Sequence, residues 1–291
     1  MLVMIFSWGN YTVARKVQDQ LGRNIVIPTA LKRIVSLAPS LTECMFALEN
    51  GNKLVGVTKY SDYPPQAVQL PKVGSYVNLD LEKIVSLQPD LCLATKDGNP
   101  IKVIDRLEQL GIPVYALDPR NLSTVMETIN ELGQLLKAQK KSSKVVQGMK
   151  KRVELIKKRV AKTNSRPRVF FQIGSSPIVS VGSRTFIHEL IKLAGGVNVA
   201  AGSVDYPRFS SEEVLILNPD IIVINSMTRD QQILEWAKQR WSEFPNLPAV
   251  KKKQIYGVNS DYFNRAGPRL VKGLEILAGL FHPEMFPKAK N

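Results

Sequence analysis

The sequence predicts an α/β protein made of two lobes with central parallel sheets, and three observations lead to this fold class. Short apolar runs typical of buried strands alternate with helical segments along most of the chain. A segment of about forty residues with helical spacing separates two such stretches. A fifteen-residue pattern occurs once in each stretch. Strands and helices that alternate in this way imply parallel strands joined by right-handed crossovers.

The first lobe is predicted to open with a small hairpin over residues 17–28 that turns at Leu21-Gly22. After Pro39, the pattern Ser40-x-x-Glu43 predicts a capping box at the start of a helix that ends near Gly51. The other predicted elements are strands at 34–37 and 54–58, a helix at 81–87, a strand at 91–94, a helix capped by Asn99 that closes at Gly111, and a strand at 114–117.

Residues 121–163 are predicted to form one long helix that links the lobes. Apolar residues keep helical spacing from Leu122 to Val160, and a kink is expected near Gly133 or Gly148. A coiled-coil partner helix is an alternative, but a polar run interrupts the apolar seam. In the second lobe, strands are predicted at 169–173 and 221–224, and helices are predicted after Thr185, Ser210 and Gly267.

The start of the chain resembles the end of a secretory signal, with a short apolar run followed by small residues, but it lacks the basic first part of such a signal. A frayed or mis-started N-terminus and a clipped export signal are both compatible with it. No cysteine precedes Cys44, so no lipoprotein anchor is expected near the start. The predicted domains are a signal remnant or disordered start at 1–16, an N-terminal lobe at 17–120, the linking helix at 121–163 and a C-terminal lobe at 164–291.

An internal repeat supports the two-lobe prediction. Residues 80–94 align without a gap to residues 210–224, and Asp-Tyr-Pro occurs upstream of each copy. The repeat pairs Glu82 with Glu212, Leu87 with Leu217, Pro89 with Pro219 and Asp90 with Asp220. Each copy predicts a short capped helix, a Pro-Asp turn and a buried strand. The loops at the carboxyl ends of the strands are expected to face a shared cleft, where open α/β sheets place ligands.

Composition and charge restrict the function. The chain has 291 residues, of which 44% are hydrophobic and 22% charged, which excludes a mainly disordered protein. The net charge of +15 raises a polyanion as partner, but residues 137–168 hold thirteen Lys or Arg and one acid. This +12 leaves +3 for the rest of the chain. A solvated basic face of the linking helix is therefore expected, with nucleic-acid binding as the rival interpretation.

The motifs of common enzymes and metal sites are missing. The sequence has no G-x-G-x-x-G, Walker or G-x-S-x-G pattern, and its two histidines have no metal-binding spacing. Cys44 and Cys92 are flanked by apolar residues and are expected to be buried thiols. No catalytic residue, metal or cofactor is predicted. An α/β enzyme would need an acid with a perturbed pKa in the cleft, for which Asp261 is the candidate. Because Arg265 lies four residues on, Asp261 is instead expected to be ionised and structural.

Aromatic residues in loops are the candidate ligand contacts. Tyr60 and Tyr76 belong to the first lobe, and Tyr206 and Tyr262 belong to the second. Ring faces from both lobes suit a large flat ligand. Asp261 and Arg265 can orient polar groups of that ligand through hydrogen bonds.

Glu82 and Glu212 have two interpretations. A glutamate in the first turn of a helix is favoured by the helix dipole alone. Their equivalence in the repeat also suggests two carboxylates that clamp basic residues of one partner, which would fix the register of docking.

The chain resembles the substrate-binding proteins of ABC importers for cobalamin, siderophores and haem. The motifs that carry the resemblance are RIVSLAPSLTE (33–43), VGVTKYSDYPPQA (55–67), LDLEKIVSLQPDL (79–91), VFFQIG (169–174), DYPRFSSEEV (205–214) and SDYFNRAGPRL (260–270). Together they run from about Gln18 to Gly279, and the segments YSDYPP and SDYFNRAGPR are typical of the cobalamin branch.

The resemblance implies two Rossmann-like lobes of the class III periplasmic binding protein type, bridged by a rigid helix. It implies a non-enzymatic, monomeric periplasmic receptor that captures a corrinoid and delivers it to an ABC permease, without nucleic acid as a partner. It assigns ligand binding to Tyr60, Tyr76, Tyr206, Asp261, Tyr262, Phe263, Asn264 and Arg265. It assigns docking on permease arginines to Glu82 and Glu212.

The chain departs from the cobalamin branch where that branch has tryptophans. Tyr76, Thr95 and Tyr206 stand at those positions, and an aromatic near Ile173 is also replaced. The cleft is therefore expected to be less aromatic. Another corrinoid such as cobinamide, or a haem bound through Tyr60 or Tyr76, is the alternative ligand, and a ferric siderophore is a further one.

Overall fold

A computed structural model describes residues 14–225 and 231–286. The chain divides into two compact units. Unit 1 comprises the described chain up to Asp118 together with Leu132–Ala138, and unit 2 comprises Pro119–Glu131 together with the described chain from Gln139 onward. Within the described ranges, no helix is both long and apolar enough to cross a membrane.

Unit 1 contains an N-terminal hairpin and a four-stranded parallel sheet. Its elements are β1 (Ala14–Gln18), β2 (Asn24–Pro28), β3 (Ile34–Ser36), α1 (Pro39–Ala47), β4 (Leu54–Val57), α2 (Leu81–Ser86), β5 (Leu91–Thr95), α3 (Ile101–Gln109) and β6 (Val114–Leu117). Strands β1 and β2 pair antiparallel, as predicted, and turn through Gly22 at φ +77°. The sheet order is β4-β3-β5-β6.

The predicted linking helix is two helices, α4 (Leu122–Leu135) and α5 (Gln139–Val160). The break lies in the polar part of the segment, where Lys137 takes a left-handed conformation at φ +57°. The sequence pattern did not predict it because apolar residues on both sides keep one helical spacing. Gly133 and Gly148, the two expected kink positions, lie within α4 and α5.

Unit 2 contains a second parallel sheet and a small antiparallel one. Its elements after α5 are β7 (Arg168–Gln172), β8 (Gly174–Ser175), β9 (Ile178–Val179), α6 (Phe186–Leu193), β10 (Val197–Asn198), β11 (Arg208–Phe209), α7 (Ser211–Leu217), β12 (Ile221–Ile224), α8 (Gln231–Ser242), α9 (Pro248–Lys251), β13 (Ile255–Gly257) and α10 (Leu270–Phe281). The parallel sheet has the order β10-β7-β12-β13, and β11-β9-β8 form the antiparallel sheet.

Both parallel sheets have the same topology. Counted along the chain within each sheet, the strands lie in the order second, first, third, fourth. The direction of winding therefore reverses between β3 and β5 in unit 1, and between β7 and β12 in unit 2. Such switch points are where open α/β sheets bind ligands, outside the carboxyl ends of the strands. The predicted α/β class with central parallel sheets is confirmed.

Apolar side chains cover both sheets. In unit 1, Val35 and Cys92 of the central strands pack with Ile84 of α2 and with Ile104 and Leu107 of α3. In unit 2, Phe170 and Ile222 pack with Val214 of α7 and with Trp241 of α8.

Both cysteines are buried and unpaired, as expected. Burial raises the pKa of the Cys92 thiol to about 12, and it also raises the pKa of Cys44. Neither group is therefore a thiolate at neutral pH.

Two predicted helix caps are wrong. The first helix begins at Pro39 with Ala38 as its N-cap, so Ser40 and Glu43 lie inside it with buried side chains. A proline is suited to the first helical position because that position needs no N–H. Likewise Pro100, not Asn99, precedes α3. A capping box does occur at the second copy of the repeat, between Ser210 and Glu213.

The repeat is held by the same contacts in both units. The backbone N–H of Arg33 donates to Oδ2 of Asp90 at 2.8 Å, and the backbone N–H of Arg168 donates to Oδ2 of Asp220 at 3.0 Å. Each arginine side chain donates to the last residue of the repeat helix or the one after it, Leu87 O at 2.7 Å and Leu217 O at 2.8 Å. The Pro-Asp turn thus fixes the start of the first strand of each sheet; we call this arrangement the Arg–Asp clasp.

Replacing Asp220 by Asn is expected to lower the free energy of unfolding of unit 2 at pH 7 by about 1–2 kcal/mol, because a charged acceptor is lost. Burial on its own raises the pKa of Asp220, but hydrogen bonds from Arg168 and Lys252 lower it below its ordinary value. Its stabilising effect is therefore complete above the unfolded-state pKa of about 3.9 and is lost as the pH falls through the folded-state pKa.

The measurement is urea unfolding at several pH values in a Trp8→Phe background, so that the fluorescence comes from Trp236 and Trp241, which both lie in unit 2. The difference between the wild type and the Asp220→Asn variant should shrink below about pH 4. Asp105→Asn, at an exposed position of α3, is the control. An Asp220→Asn deficit that stays constant down to pH 2 would contradict the role of the charge.

Candidate functional site

Tyr60 lies on a loop that follows β4 and that is anchored by buried hydroxyl groups. Thr42 Oγ1 donates to Ser36 Oγ at 2.9 Å and lies 3.0 Å from Ser61 Oγ, which is 2.8 Å from Thr58 Oγ1. All four side chains are buried. Tyr60 is 51% exposed, and the ammonium group of Lys59 lies over its ring, 5.7 Å from the centroid. A fixed backbone thus presents a half-exposed aromatic side chain.

Lys72 fixes the continuation of the same loop. Its Nζ donates to the carbonyl oxygens of Ser61 at 3.0 Å and Ala67 at 2.8 Å. Burial lowers the pKa of the Lys72 ammonium group, and the nearby Asp62 carboxylate partly opposes this shift. The buried hydroxyl groups thus hold the start of the segment that carries Tyr60, and Lys72 holds the part that follows.

Tyr76 is positioned by Gly98 and Asn99. Nδ2 of Asn99 donates to the carbonyl oxygens of Leu37 at 2.8 Å and Tyr76 at 2.9 Å, and its Oδ1 accepts from the N–H of Thr95 at 2.8 Å. Asn99 therefore joins the ends of β3 and β5 to the loop of Tyr76, at the switch point of unit 1. Gly98 adopts φ +117°, and a Cβ there would lie 2.8 Å from the ring of Tyr76.

Tyr206 lies on an extended segment that pairs with residues 180–182. The N–H of Gly182 donates to Asp205 O at 2.8 Å, and the N–H of Ser180 donates to Pro207 O at 3.0 Å. A Cβ at Gly182 would meet Val204 O at 1.8 Å, so only glycine permits this approach. The ring of Tyr206 is 56% exposed.

Asp261 and Arg265 form an ion pair. Arg265 Nη2 lies 3.1 Å from Asp261 Oδ1, and Nη2 of Arg269 lies 3.8 Å from the other carboxylate oxygen. The side chains of Asp261 and Arg265 are only 14% and 7% exposed. The guanidinium group of Arg269 also lies over the ring of Tyr262, 5.3 Å from its centroid.

Phe263 is placed differently from its neighbours in the motif. Its ring is fully buried and packs on Phe171 with a centroid distance of 5.4 Å, while Gly273 lies against it. The ring therefore belongs to the core of unit 2. Asn264 is exposed, and its Oδ1 accepts a hydrogen bond from Asn225 Nδ2 at 2.7 Å. Asn225 follows β12, so this bond connects the 260–265 segment to the switch point of unit 2.

Glu82 and Glu212 occupy matching positions on exposed surfaces. Both lie in the first turn of a repeat helix, α2 and α7, and both are exposed. Each helix leads into the third strand of its sheet, so its N-terminus lies toward the edge where the parallel strands end. The side-chain caps are Asp80 and Ser210, which leaves the two glutamates without a capping role.

Unit 2 also has a shallow pocket beside this edge that the sequence did not predict. It is lined by residues of α8, by Gln172 at the end of β7, and by Ser211. The ring of Trp236 is half-exposed at the pocket, and the guanidinium of Arg240 lies over it at 5.4 Å. The aromatic spacing in LEWAKQRWSEF was the available signal, because Trp236 and Arg240 are separated by one helical turn.

The predicted site residues thus fall into two groups. Unit 1 holds Tyr60 and Tyr76 beside the ends of its strands, and unit 2 holds Tyr206 and the segment 261–265. Asn99, Gly98 and the buried hydroxyl cluster are functional candidates that the sequence did not reveal. Among the described residues there is no cluster of three His, Cys, Asp or Glu side chains that could hold a metal ion.

Comparison with known proteins identifies the family. The family model described as periplasmic binding protein matches residues 34–262. A vitamin B12-binding protein of Vibrio cholerae serotype O1 is 34% identical over 250 residues, which cover 85% of this chain and 88% of that protein. The vitamin B12-binding protein of Vibrio parahaemolyticus is 32% identical over 247 residues, 84% of this chain and 87% of its own length.

Solved structures have the same fold. The periplasmic vitamin B12 binding protein BtuF of Vibrio cholerae superimposes with a TM-score of 0.77 at 32% identity, over 89% of this chain and 99% of that one. A periplasmic heme binding protein from Pseudomonas aeruginosa gives a TM-score of 0.81 at 26% identity, over 90% and 95% of the two chains. The resemblance inferred from the motifs is confirmed, and the chain belongs to the periplasmic binding protein family.

Proposed function

We propose that this protein is the extracytoplasmic, non-enzymatic substrate-binding component of an ABC importer, and that its ligand is vitamin B12 or a related corrinoid. The observation that carries the proposal is the placement of Tyr60, Tyr76 and Tyr206 on anchored loops in a chain 32–34% identical to vitamin B12-binding proteins. Rings held in place beforehand bind a flat macrocycle without an ordering cost.

The ring faces are proposed to supply most of the affinity. Tyr60 and Tyr206 expose about half of their surface, and each ring stacked on an apolar face contributes about 1 kcal/mol beyond its buried area. Asp261 and Arg265 are largely buried and paired with each other, so they offer the ligand only the edges of their polar groups. Their main effect is to fix the 260–265 segment. The buried ring of Phe263 is not included among the contacts.

Haem is the second candidate ligand. Position 76 is a tyrosine, where the resemblance to the cobalamin branch implies a tryptophan. A phenolate oxygen can ligate haem iron, whereas an indole ring cannot. The structural match to a heme binding protein supports the same alternative. Replacing Tyr by Phe separates the two ligands, because Phe keeps the ring and removes the oxygen.

An enzymatic role has little support in the site. The carboxyl group of Asp261 lies 3.1 Å from Arg265 and 3.8 Å from Arg269, so it is engaged in ion pairs that fix the 260–265 segment. The predicted ligand contacts include no serine, cysteine, lysine or histidine, the usual nucleophiles and bases of covalent catalysis. Binding and delivery are therefore proposed in place of catalysis.

Glu82 and Glu212 are proposed to dock on basic residues of the permease. Both carboxylates are exposed, occupy equivalent positions of the repeat and have no part in capping their helices. Two charges at separate sites fix the orientation of a partner and speed its encounter more than they add affinity.

The ligand is tested by titration with cyanocobalamin, cobinamide, haemin and a ferric siderophore, followed by calorimetry and absorbance. Cyanocobalamin or cobinamide is expected to bind. Tyr60→Ala and Tyr206→Ala should each weaken corrinoid binding about fivefold through loss of a stacked ring, while Tyr60→Phe and Tyr76→Phe leave it nearly unchanged. Tight binding of haemin that is lost in either Phe variant, without heat from any corrinoid, would assign the protein to haem instead.

Replacing Gly98 by Ala is expected to weaken ligand binding by displacing the ring of Tyr76, since the new methyl group would lie within 3 Å of it. Gly111→Ala is the matched control, because Gly111 also has positive φ but a methyl group there would have no atom within 4 Å. Both variants should lose about 1 kcal/mol of stability or more through backbone strain, and only Gly98→Ala should lose affinity. Equal affinities for the two variants would remove Tyr76 from the binding site.

Reversing the charge of both glutamates, Glu82→Lys with Glu212→Lys, should lower ligand uptake at least tenfold while leaving ligand affinity within twofold of wild type. Uptake is measured in proteoliposomes that contain the cognate permease. Glu243→Lys, at an exposed position outside the repeat, is the control for net charge. Normal uptake by the double variant would show that docking uses other residues.

A further inference from the structure

One face of α5 carries a straight stripe of lysines. Lys140, Lys144, Lys151 and Lys158 follow one another at spacings of four, seven and seven residues, and at 100° per residue they project within about 40° of each other. All four are exposed. The stripe is about 27 Å long at 1.5 Å per residue.

The stripe lies opposite the face that α5 buries. The buried residues are Ser142, Val146, Met149, Val153, Ile156 and Val160. Their mean direction around the helix axis is about 180° from that of the lysine stripe. The stripe therefore points away from the core of unit 2, and Lys162 lies just beyond the helix end and is exposed as well.

The charge of this surface is not neutralised by neighbouring carboxylates. Residues 139–160 contain nine basic side chains and one acid, Glu154, which pairs with Lys157 at 3.0 Å beside the stripe. Arg152, on the flank, pairs with Glu275 at 2.7 Å. For the four stripe lysines, the described residues provide no ion-pair partner. The nine basic side chains and one acid give α5 a net charge of +8 out of the protein's +15, and four of these positive charges lie in the exposed stripe.

A leucine lies within the stripe. Leu155 is 50% exposed and falls between Lys151 and Lys158, four and three residues away. An apolar side chain among lysines gains nothing from water or from a phosphodiester backbone. At a lipid surface, in contrast, the lysines meet headgroup phosphates while the leucine enters the boundary with the acyl chains.

We propose that the outward face of α5, defined by Lys140, Lys144, Lys151, Leu155 and Lys158, binds the surface of a membrane that contains anionic phospholipids. The line of charge matches a flat anionic surface, and Leu155 favours lipid over nucleic acid. The choice of lipid also rests on the proposed extracytoplasmic location. This contact is separate from ligand capture, and it holds the protein at the membrane in which a permease lies.

The attraction between the α5 face and an anionic membrane is expected to be weak and sensitive to salt, with each lysine adding its own contribution. Each lysine near an anionic surface strengthens partitioning by about fivefold at low ionic strength. At 0.15 M salt the screening length is about 8 Å, so only side chains that come close to the headgroups contribute. Binding is thus reversible under ordinary conditions and leaves the protein able to exchange between membrane and solution.

The test is sedimentation of the purified protein with vesicles of phosphatidylcholine alone or with phosphatidylglycerol added, at increasing salt concentrations. The wild type should bind only the anionic vesicles and dissociate as salt rises. The variant K140Q/K144Q/K151Q/K158Q should bind at least about tenfold more weakly, because glutamine keeps helix propensity and removes charge. Its ligand affinity should equal that of the wild type, which separates this outcome from failure of the proposed function.

The matched control is K16Q/K32Q/K102Q/K251Q, which removes the same charge from four exposed lysines elsewhere. If both variants lose vesicle binding equally, net charge and not the α5 face is responsible, and the proposal is wrong. Helical content and melting temperature, measured for both, should match those of the wild type.

A second measurement locates the contact. Leu155→Cys introduces a reactive thiol in a chain whose two native cysteines are buried, so an environment-sensitive dye attaches at position 155 alone. Its emission should shift to the blue with anionic vesicles and stay unchanged with duplex DNA. No shift on vesicles that retain the protein, or stronger retention by DNA than by vesicles, would overturn the assignment to lipid.

Discussion

The burial of the parallel strands on both faces is the constraint on which the rest of the structure depends. Strands β3, β6 and β12 are buried at every position. Such strands have no surface from which a side chain can reach a ligand. Recognition must therefore come from the segments that leave the strand ends, and a loop can serve only if something holds it. The hydroxyl cluster under Tyr60, the amide of Asn99 and the close backbone approach at Gly182 each hold one such segment.

Much of the fold could be predicted from the sequence, because the period of the hydrophobic residues and the positions of glycine and proline indicate local structure. The strands at Ile34, Leu91 and Ile221 and the hairpin at Gly22 were found within two residues. The two-residue strands of the small antiparallel sheet were missed because they are too short to show an alternation of buried and exposed residues. Ser40 and Asn99 are residue types that favour helix caps. In α1, Pro39 takes the first helical position and makes Ala38 the N-cap, whereas α3 begins one residue later than predicted and has Pro100 at its N-cap.

The sequence indicated candidate ligand contacts but not the groups that hold them in place. Aromatic side chains in loops indicated Tyr60, Tyr76 and Tyr206, and a motif indicated the segment from Asp261 to Arg265. A motif does not show which of its side chains are buried. The prediction therefore included Phe263, which lies in the core, together with its neighbours in the motif. The contacts of Asn99 join three segments that are distant in sequence, and no local pattern announces them.

The identical strand order of the two sheets, each fastened by its own Arg–Asp clasp, has a consequence for the history of the protein and for its engineering. It is the arrangement expected if one ancestral α/β half was duplicated and fused. Since each half fixes the start of its first strand through Asp90 or Asp220, the exposed side chains of the loops that carry Tyr60 and Tyr206 can change while the sheet beneath them stays in place. Transplanting such loops between relatives is then a practical route to receptors with altered selectivity.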